Sequence, residues 1–208
     1  MQSRNSGVRG QLPLPEGLRA AVDSVAAAQR DRDPHTWQHQ QRTADLAAAI
    51  GVRLGLPESS VAMLRLAASM HDIGKIGLLE DVVAKPRDLS EPEFVLVKTH
   101  CAIGYGILES LQVPAPVAQI VFQHHERLDG SGYPRGLSGD AILPEARILA
   151  VADAFDAMSS HRGYRRRLPK DLVLAELRKM AVSALDPEAV EACIAHVHAR
   201  PGRRRRRV

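Results

Sequence analysis

Residues 33–50 read DPHTWQHQQRTADLAAAI and carry the clearest helical pattern in the chain. Asp33 followed by Pro34 is a typical helix start, because an aspartate side chain caps the first turn and proline needs no backbone donor there. Beyond this start, His39 and Ile50 fall on one helical face together with other apolar residues. The stretch therefore predicts an amphipathic helix whose inward face carries a histidine.

Similar patterns on both sides of this stretch predict further helices. A capping box, Ser90-Glu91-Pro92-Glu93, is expected to open one long helix that includes His100 and Ile107. Gly74 is expected to end another helix in the left-handed conformation. No alternating strand pattern is found, so we predict an all-α, single-domain helical bundle with one glycine-rich loop at residues 128–140. The remaining predicted helices span residues 16–30, 59–70, 114–125, 144–160, 170–180 and 187–198.

Length and composition are those of an ordinary globular protein. The chain has 208 residues, of which 45% are hydrophobic, 25% charged and 3% aromatic. We predict a flexible N-terminus at residues 1–15, one folded domain at residues 16–200 and a disordered basic tail at residues 201–208. The net charge of +4 depends on five arginines at residues 203–207. The body of the chain is nearly neutral, which argues against a nucleic-acid interface.

Cysteine usage and hydropathy restrict the class of protein further. Cys101 and Cys193 are far apart and form no CxxC spacing, which argues against a disulfide scaffold. No charged and apolar leader opens the chain, and no apolar stretch approaches the roughly 20 residues that a membrane span needs. We therefore expect a cytoplasmic protein without a membrane span.

Histidine is the informative residue type, with nine in the chain. A single histidine on an apolar face is usually a structural core residue, in about nine cases of ten. Several imidazoles cannot share a core in that way, because each buried ring nitrogen needs a partner. Imidazole and carboxylate are good ligands for Mn, Fe, Zn or Ni, so the inward-facing set predicts a metal site. The set comprises His39, His71, Asp72, His100, His124, His125 and Asp153.

The adjacent pair His71-Asp72 suggests that two metal ions are bound. Neighbouring side chains on a helix diverge by about 100°, so the imidazole can bind one ion while the two carboxylate oxygens bridge a pair. Two ions about 3.5–4 Å apart stabilise the attacking and leaving oxygens of an in-line phosphoryl displacement. The dipeptide alone is weak evidence, but histidines before and after it and the later Asp153 strengthen it.

The ordered motifs resemble the HD-GYP domains, a group of HD phosphohydrolases that degrade the bacterial second messenger cyclic di-GMP. The resemblance covers residues 33–187, which is most of the chain. Its motifs are Asp33-Pro34-His35-Thr36 with His39 and Arg42, His71-Asp72-Ile73-Gly74-Lys75-Ile76, Lys98-Thr99-His100, Gln123-His124-His125-Glu126-Arg127, Asp129-Gly130-Ser131-Gly132-Tyr133-Pro134, Ile148-Leu149-Ala150-Val151-Ala152-Asp153 and Leu185-Asp186-Pro187.

The resemblance implies a centre with two divalent ions, with Fe or Mn as the expected metals. Some relatives place a carboxylate where this chain has His35, so a third ion is not expected. Asp72 and Lys75 are the implied catalytic residues, the lysine by stabilising charge on the phosphate. We assign His39, His71, Asp72 and Asp153 to one ion, and His100, His124 and His125 with bridging Asp72 to the other. The implied substrate-binding residues are Gly132, Tyr133, Arg162 and Arg165.

The implied reaction is hydrolysis of cyclic di-GMP to linear pGpG by a hydroxide that bridges the two ions, and a second cut to GMP stays open. Two other functions stay open as well. One is an HD phosphohydrolase that acts on another nucleotide. The other is a non-catalytic module that binds cyclic di-GMP or docks signalling proteins. Partner proteins and a homo-oligomer are compatible with either function.

Each substrate-binding or catalytic assignment also has a structural alternative. Lys75 can be a solvated lysine whose charge suits a helix end. Arg162 and Arg165 can belong to an exposed basic run that continues through residues 166–167. The glycine-rich loop, if isolated, is a surface turn. Gly163 stands where relatives often have proline, which predicts a more mobile substrate edge.

Overall fold

The computed structural model describes residues 12–78, 90–160 and 167–199. Within these ranges the chain is helical and contains no strand, only an isolated bridge between Asp129 and Ser138. The predicted all-α class is confirmed. Short 3-10 helices occupy Ile73–Gly77 and Gly139–Ala141. The α-helices are α1 (Glu16–Arg32), α2 (Pro34–Arg53), α3 (Glu58–Met70), α4 (Glu91–Lys98), α5 (His100–Ser110), α6 (Ala115–Gln123), α7 (Pro144–Ser159), α8 (Lys170–Met180) and α9 (Pro187–Ala199).

The capping residues behave as the sequence predicts. Asp33 Oδ1 accepts a hydrogen bond from the backbone N–H of Thr36 at 2.9 Å, and Pro34 occupies the first position of α2. At α4, the backbone N–H of Ser90 donates to Glu93 Oε2 at 2.9 Å and the backbone N–H of Glu93 donates to the Ser90 side chain, which completes the predicted capping box. Both helices therefore begin where their orphan backbone donors find side-chain acceptors.

The prediction of one long helix after Ser90 is wrong in one respect, because the regular helical hydrogen-bond pattern is interrupted at Thr99. The backbone N–H of Thr99 bonds to the carbonyl of Leu96 at 3.1 Å, and its hydroxyl donates to the same oxygen at 2.7 Å. A threonine hydroxyl competes in this way with the regular helical bond and tightens the turn. As a result α4 and α5 are separate helices, and His100 is the first residue of α5.

The predicted role of Gly74 is also wrong. Gly74 does not adopt the left-handed conformation but lies inside the 3-10 helix that follows α3. A Cβ atom at this position would lie 1.9 Å from the carbonyl oxygen of His100 and 2.6 Å from the nitrogen of Gly104. Glycine is needed because two backbones touch here, which positions the segment after His71 directly against α5.

Helix α2 lies at the centre of the bundle and packs against α1, α3, α7 and α9. The core consists mainly of leucine, isoleucine, valine and alanine, as the low aromatic content predicts. A cleft of about 420 Å³ between α1, α2 and α3 includes Trp37 in its wall and none of the predicted site residues. No helix in the described ranges is both long and apolar enough to span a bilayer.

Candidate metal centre

Five segments of the bundle bring the seven predicted metal ligands to one place. One ligand lies within α2 and one within α7, and the others lie at helix ends, where the chain leaves α3 and α6 or enters α5. Six of the seven are buried and His125 is half-buried. The structure therefore brings together the whole predicted set, which is His39, His71, Asp72, His100, His124, His125 and Asp153.

Three of these imidazoles have one ring nitrogen fixed by the same local device. The Nδ1 atoms of His71, His100 and His124 bond to the carbonyl oxygens of Ala68 (2.8 Å), Val97 (2.6 Å) and Val121 (2.6 Å), each three residues earlier. A carbonyl only accepts, so each Nδ1 carries the proton and each Nε2 presents a lone pair. This is the tautomer that binds metal through Nε2.

Two of the three Nε2 atoms lie against one carboxylate, and the third lies close to one of these two. His71 Nε2 lies 3.5 Å from Asp72 Oδ2, and His100 Nε2 lies 3.5 Å from Asp72 Oδ1. His124 Nε2 is 3.4 Å from His100 Nε2. Lone pairs that face one another and a carboxylate repel unless positive charge lies among them, so the donor set fits divalent cations.

The fourth imidazole, His39, lies between two carboxylates. Its Nδ1 is 2.7 Å from Asp156 Oδ2, and its Nε2 is 3.0 Å from Asp153 Oδ1. Burial by itself lowers the pKa of His39, but the hydrogen bonds to Asp153 and Asp156 outweigh burial and raise that pKa to about 9. His39 therefore carries a proton at neutral pH that a metal ion at Nε2 has to displace.

The other imidazoles are held neutral. Burial is the largest cause that lowers the pKa of His71, His100 and His124, and it lowers the pKa of His125 to about 3. Neutral imidazole is the form that ligates metal, so these rings need no deprotonation before they bind an ion.

Asp72 is ionised although it is buried. Burial would raise the pKa of Asp72, but the charge of Lys75 is the largest of the opposing causes, and together they hold that pKa well below its usual range. Lys75 Nζ lies 2.6 Å from Asp72 Oδ2, and the lysine side chain is 24% exposed. The ammonium therefore lies between the buried carboxylate and the solvent side of the site.

Groups of ligand atoms within 4.8 Å of one another indicate where ions can sit. One group, His39, His71 and Asp153, contains three of the four residues assigned to the first ion. Another, His71, Asp72 and His124, includes residues from both assignments. The third combines His100 and His124 with Cys101, a buried thiol whose pKa is raised by burial.

Sequence reasoning missed a pair of residues that orient His39. Besides His39, Asp156 receives two hydrogen bonds from Arg42, from Nε at 2.7 Å and from Nη2 at 2.9 Å. The sequence places Asp156 on the same helical face as Asp153, which is the signal that could have found it. The Asp156 carboxylate fixes the orientation of the His39 ring through Nδ1, as hydrogen-bond partners of metal-binding histidines commonly do.

The glycine-rich loop packs against the His124-His125 turn. Gly130 has a φ of +78°, which favours glycine. A Cβ atom on Gly132 would lie 2.4 Å from the nitrogen of Arg127 and 2.5 Å from the carbonyl oxygen of His125. The loop therefore needs glycine there to approach the backbone of the turn.

Tyr133 and Glu126 fix the rest of this loop. The backbone N–H of Tyr133 donates to the carbonyl of His125 at 3.1 Å, and the two rings lie 4.7 Å apart, tilted by 36°. The buried carboxylate of Glu126 accepts hydrogen bonds from the backbone N–H groups of Arg135 and Leu137 at 2.8 and 2.9 Å. Glu126 belongs to a family motif in the sequence, but the sequence alone predicted no structural role for it.

The remaining predicted residues lie elsewhere. Arg162 and Arg165 lie outside the described residues, as does the basic tail at residues 201–208. His35 is exposed on α2, one turn before His39.

Comparison with known proteins agrees with this geometry. A family model described as an HD domain matches residues 24–189. The cyclic di-GMP phosphodiesterase response regulator RpfG of Xanthomonas campestris pv. campestris is 40% identical over 186 residues, which is 87% of this chain and 48% of that protein. The 3′3′-cGAMP-specific phosphodiesterase 3 of Vibrio cholerae is 37% identical over 185 residues, 88% of this chain and 40% of that protein. The chain thus spans about half the length or less of these relatives.

A solved structure supports the fold independently. Bd1817, described as an HDG"Y"P protein from Bdellovibrio bacteriovorus, superposes with a TM-score of 0.69 at 20% identity, over 87% of this chain and 63% of that one. At this identity the likeness concerns the fold alone. The comparisons confirm the predicted resemblance to the HD-GYP group. The family match over most of the chain shows that the chain belongs to the HD domain family.

Proposed function

We propose that the chain is a metal-dependent phosphodiesterase that hydrolyses cyclic di-GMP to linear pGpG. The observation that carries the proposal is the buried convergence of the His71 and His100 Nε2 lone pairs on Asp72, with His124 Nε2 3.4 Å from His100 Nε2, an arrangement suited to divalent cations and phosphoryl transfer. The name of the Xanthomonas relative supports the choice of substrate. Analysis of the reaction products also shows whether a second cut converts pGpG to GMP.

We infer two divalent ions, with Fe or Mn as the expected metals. When bound, the pair would lower the pKa of a water molecule and neutralise phosphate charge. The opposite oxygens of Asp72, 3.5 Å from His71 Nε2 and 3.5 Å from His100 Nε2, support its role as the bridge. The inferred ligands are His39, His71, Asp72 and Asp153 for one ion, and His100, His124, His125 and Asp72 for the other.

Lys75 and Tyr133 can each donate a hydrogen bond to the substrate in this proposal. Lys75 donates to a phosphate oxygen as negative charge develops there, since its ammonium lies beside the centre and is partly exposed. Tyr133 lies against His125, and burial raises the pKa of its hydroxyl, so this hydroxyl keeps its proton and can donate. Gly132 contributes through the close approach of the loop, and Arg162 and Arg165 remain proposed phosphate or base contacts.

A second substrate is favoured by one observation. The Vibrio relative at 37% identity is named as specific for 3′3′-cGAMP, which offers the same kind of cyclic phosphodiester bond. A non-catalytic signalling module is the weaker alternative, because each ligand position expected from the family carries histidine or aspartate.

We further infer a cytoplasmic location, because the two cysteines are free and buried and the cytosol keeps thiols reduced. Docking to signalling proteins and a homo-oligomer are also proposed. Light scattering with and without cyclic di-GMP measures the oligomeric state directly.

The test combines metal analysis with a substrate panel. Protein purified without oxygen should contain two metal equivalents and, with Mn or Fe, should release pGpG from cyclic di-GMP. His71→Ala and Asp72→Ala should lose both metal and turnover. His198→Ala, at an exposed histidine of α9, is the matched control and should lose neither. Metal-loaded protein that binds cyclic di-GMP without cleaving it would favour the signalling module, and an unchanged metal load in both site variants would contradict the dinuclear centre.

A further inference from the structure

Helix α4 presents apolar side chains to solvent beside the metal centre. None of its eight residues is buried. Phe94 is 45% exposed, Val95 63% and Leu96 38%. Three consecutive exposed apolar residues are unusual on a short helix of a globular domain. Phe94 is the one of the three whose ring contacts Tyr133, beside the metal centre.

One of these residues belongs to a cluster of two rings and one cation. The rings of Phe94 and Tyr133 meet edge to face, with centroids 6.3 Å apart and planes at 84°. Lys98 Nζ lies 4.6 Å from the centroid of Phe94 and 5.4 Å from that of Tyr133. The ammonium is therefore held over two aromatic faces, within the distance of a cation–π contact.

This cluster is continuous with the proposed metal ligands. Tyr133 lies 4.7 Å from the ring of His125 and 6.4 Å from that of His100. Lys98, the last residue of α4, precedes His100, the first residue of α5, by two positions. A substrate whose phosphate is held at the centre can therefore extend a flat, apolar group over Phe94 and Tyr133.

We propose that Phe94, Lys98 and Tyr133 form a subsite for one purine base of the substrate and that Lys98 makes this subsite prefer guanine over adenine. The inference rests on the proposed function. Phe94 supplies an exposed apolar face against which a base can stack. Guanine presents two neighbouring acceptors, O6 and N7, whereas adenine presents one acceptor and an amino group. A lysine ammonium only donates hydrogen bonds, so it matches the guanine edge.

The test separates base recognition from the chemistry of the metal centre. Bis(p-nitrophenyl) phosphate lacks the O6 and N7 acceptors of guanine, so its hydrolysis reports the centre without recognition of a purine edge, and its inhibition by cyclic di-GMP or cyclic di-AMP reports base binding. In Lys98→Met we expect hydrolysis of this probe within about twofold of wild type and inhibition by cyclic di-GMP weakened about tenfold or more, because a hydrogen bond to a charged donor is lost. Inhibition by cyclic di-AMP should change less. Phe94→Ala should weaken inhibition by both dinucleotides.

Val95→Ala is the matched control, because Val95 lies on the same helix and is more exposed than Phe94. It should leave all three readouts unchanged. The subsite is overturned if inhibition by cyclic di-GMP weakens equally in Val95→Ala. It is also overturned if this inhibition is unchanged in Lys98→Met, or if Lys98→Met loses metal and probe hydrolysis. Calorimetry with metal-free protein measures the same base preference without turnover, and equal affinity of the wild type for the two dinucleotides also overturns the subsite. If cyclic di-GMP inhibits probe hydrolysis by the wild-type protein but is not itself cleaved, the proposed function is contradicted and the subsite is still supported.

Discussion

Replacement of Gly74 by alanine should destabilise the protein strongly. The new Cβ atom would lie 1.9 Å from the carbonyl oxygen of His100 and 2.6 Å from the nitrogen of Gly104. Ordinary contact begins at 3.4 Å, so the 3-10 helix and α5 would have to separate by about 1.5 Å. Both obstacles are backbone atoms, which no change of rotamer can move aside.

The expected loss follows from that geometry. Overpacking of a well-packed interior costs about 1–3 kcal/mol, and a backbone obstacle places this variant near the upper end, at about 3 kcal/mol. For a domain of this size, 1 kcal/mol corresponds to about 2–4 °C, so the melting temperature should fall by about 6–12 °C. Asp72 lies two residues before Gly74, so the metal content should fall as well.

The assay is thermal unfolding followed by circular dichroism, with Gly106→Ala as the matched control. Gly106 lies inside α5, and an added Cβ there would meet nothing within 4 Å. Alanine in a helix interior is more stable than glycine by about 0.5–1 kcal/mol, so the control should melt higher. A Gly74→Ala protein that melts within about 2 °C of wild type would refute the claim that these backbones are in contact.

Two further predictions concern the ligands. Asp156→Asn should lower metal affinity by about 10–100-fold, because the bond that orients His39 is weakened, whereas Asp140→Asn, at a fully exposed carboxylate, should not change it in the same Mn²⁺ titration. The raised pKa of His39, about 9, means that its ring is protonated below that pH and must release a proton to bind metal. Mn²⁺ affinity should therefore rise by about tenfold per pH unit between pH 6.5 and 9 if one proton is displaced, and calorimetry in two buffers that shows no proton release would contradict this.

Much of the fold was predictable because the signals are local. Asp33 and Ser90 mark helix starts through side chains three residues or fewer from the donors they cap, and these predictions are confirmed. The interruption of the helix at Thr99 was missed because a hydroxyl that bonds back to its own helix leaves the apolar periodicity intact. The role of Gly74 was missed because its close neighbour, the His100 carbonyl, belongs to a different helix.

The site likewise has one part that local sequence signals predict and another that depends on how the helices pack. The His-Asp pair and the family motifs predict seven metal ligands, and the structure brings all seven of these residues to one place. The pairing of His39 with Asp156, 117 positions apart, depends on how α2 packs against α7, which no local pattern contains. The aromatic cluster of Phe94, Lys98 and Tyr133 likewise forms only when α4 meets the glycine-rich loop.

The inferred ligands are spread from residue 39 to residue 153, so only the folded bundle can assemble the centre. An ion that binds the native chain and not the unfolded one shifts the folding equilibrium, by about 2.7 kcal/mol when its free concentration is 100 times its dissociation constant. Metal supply would then set the lifetime of the protein as well as its turnover. The metal-free chain would unfold more often than the metal-bound chain and would be exposed to proteolysis for a larger share of the time.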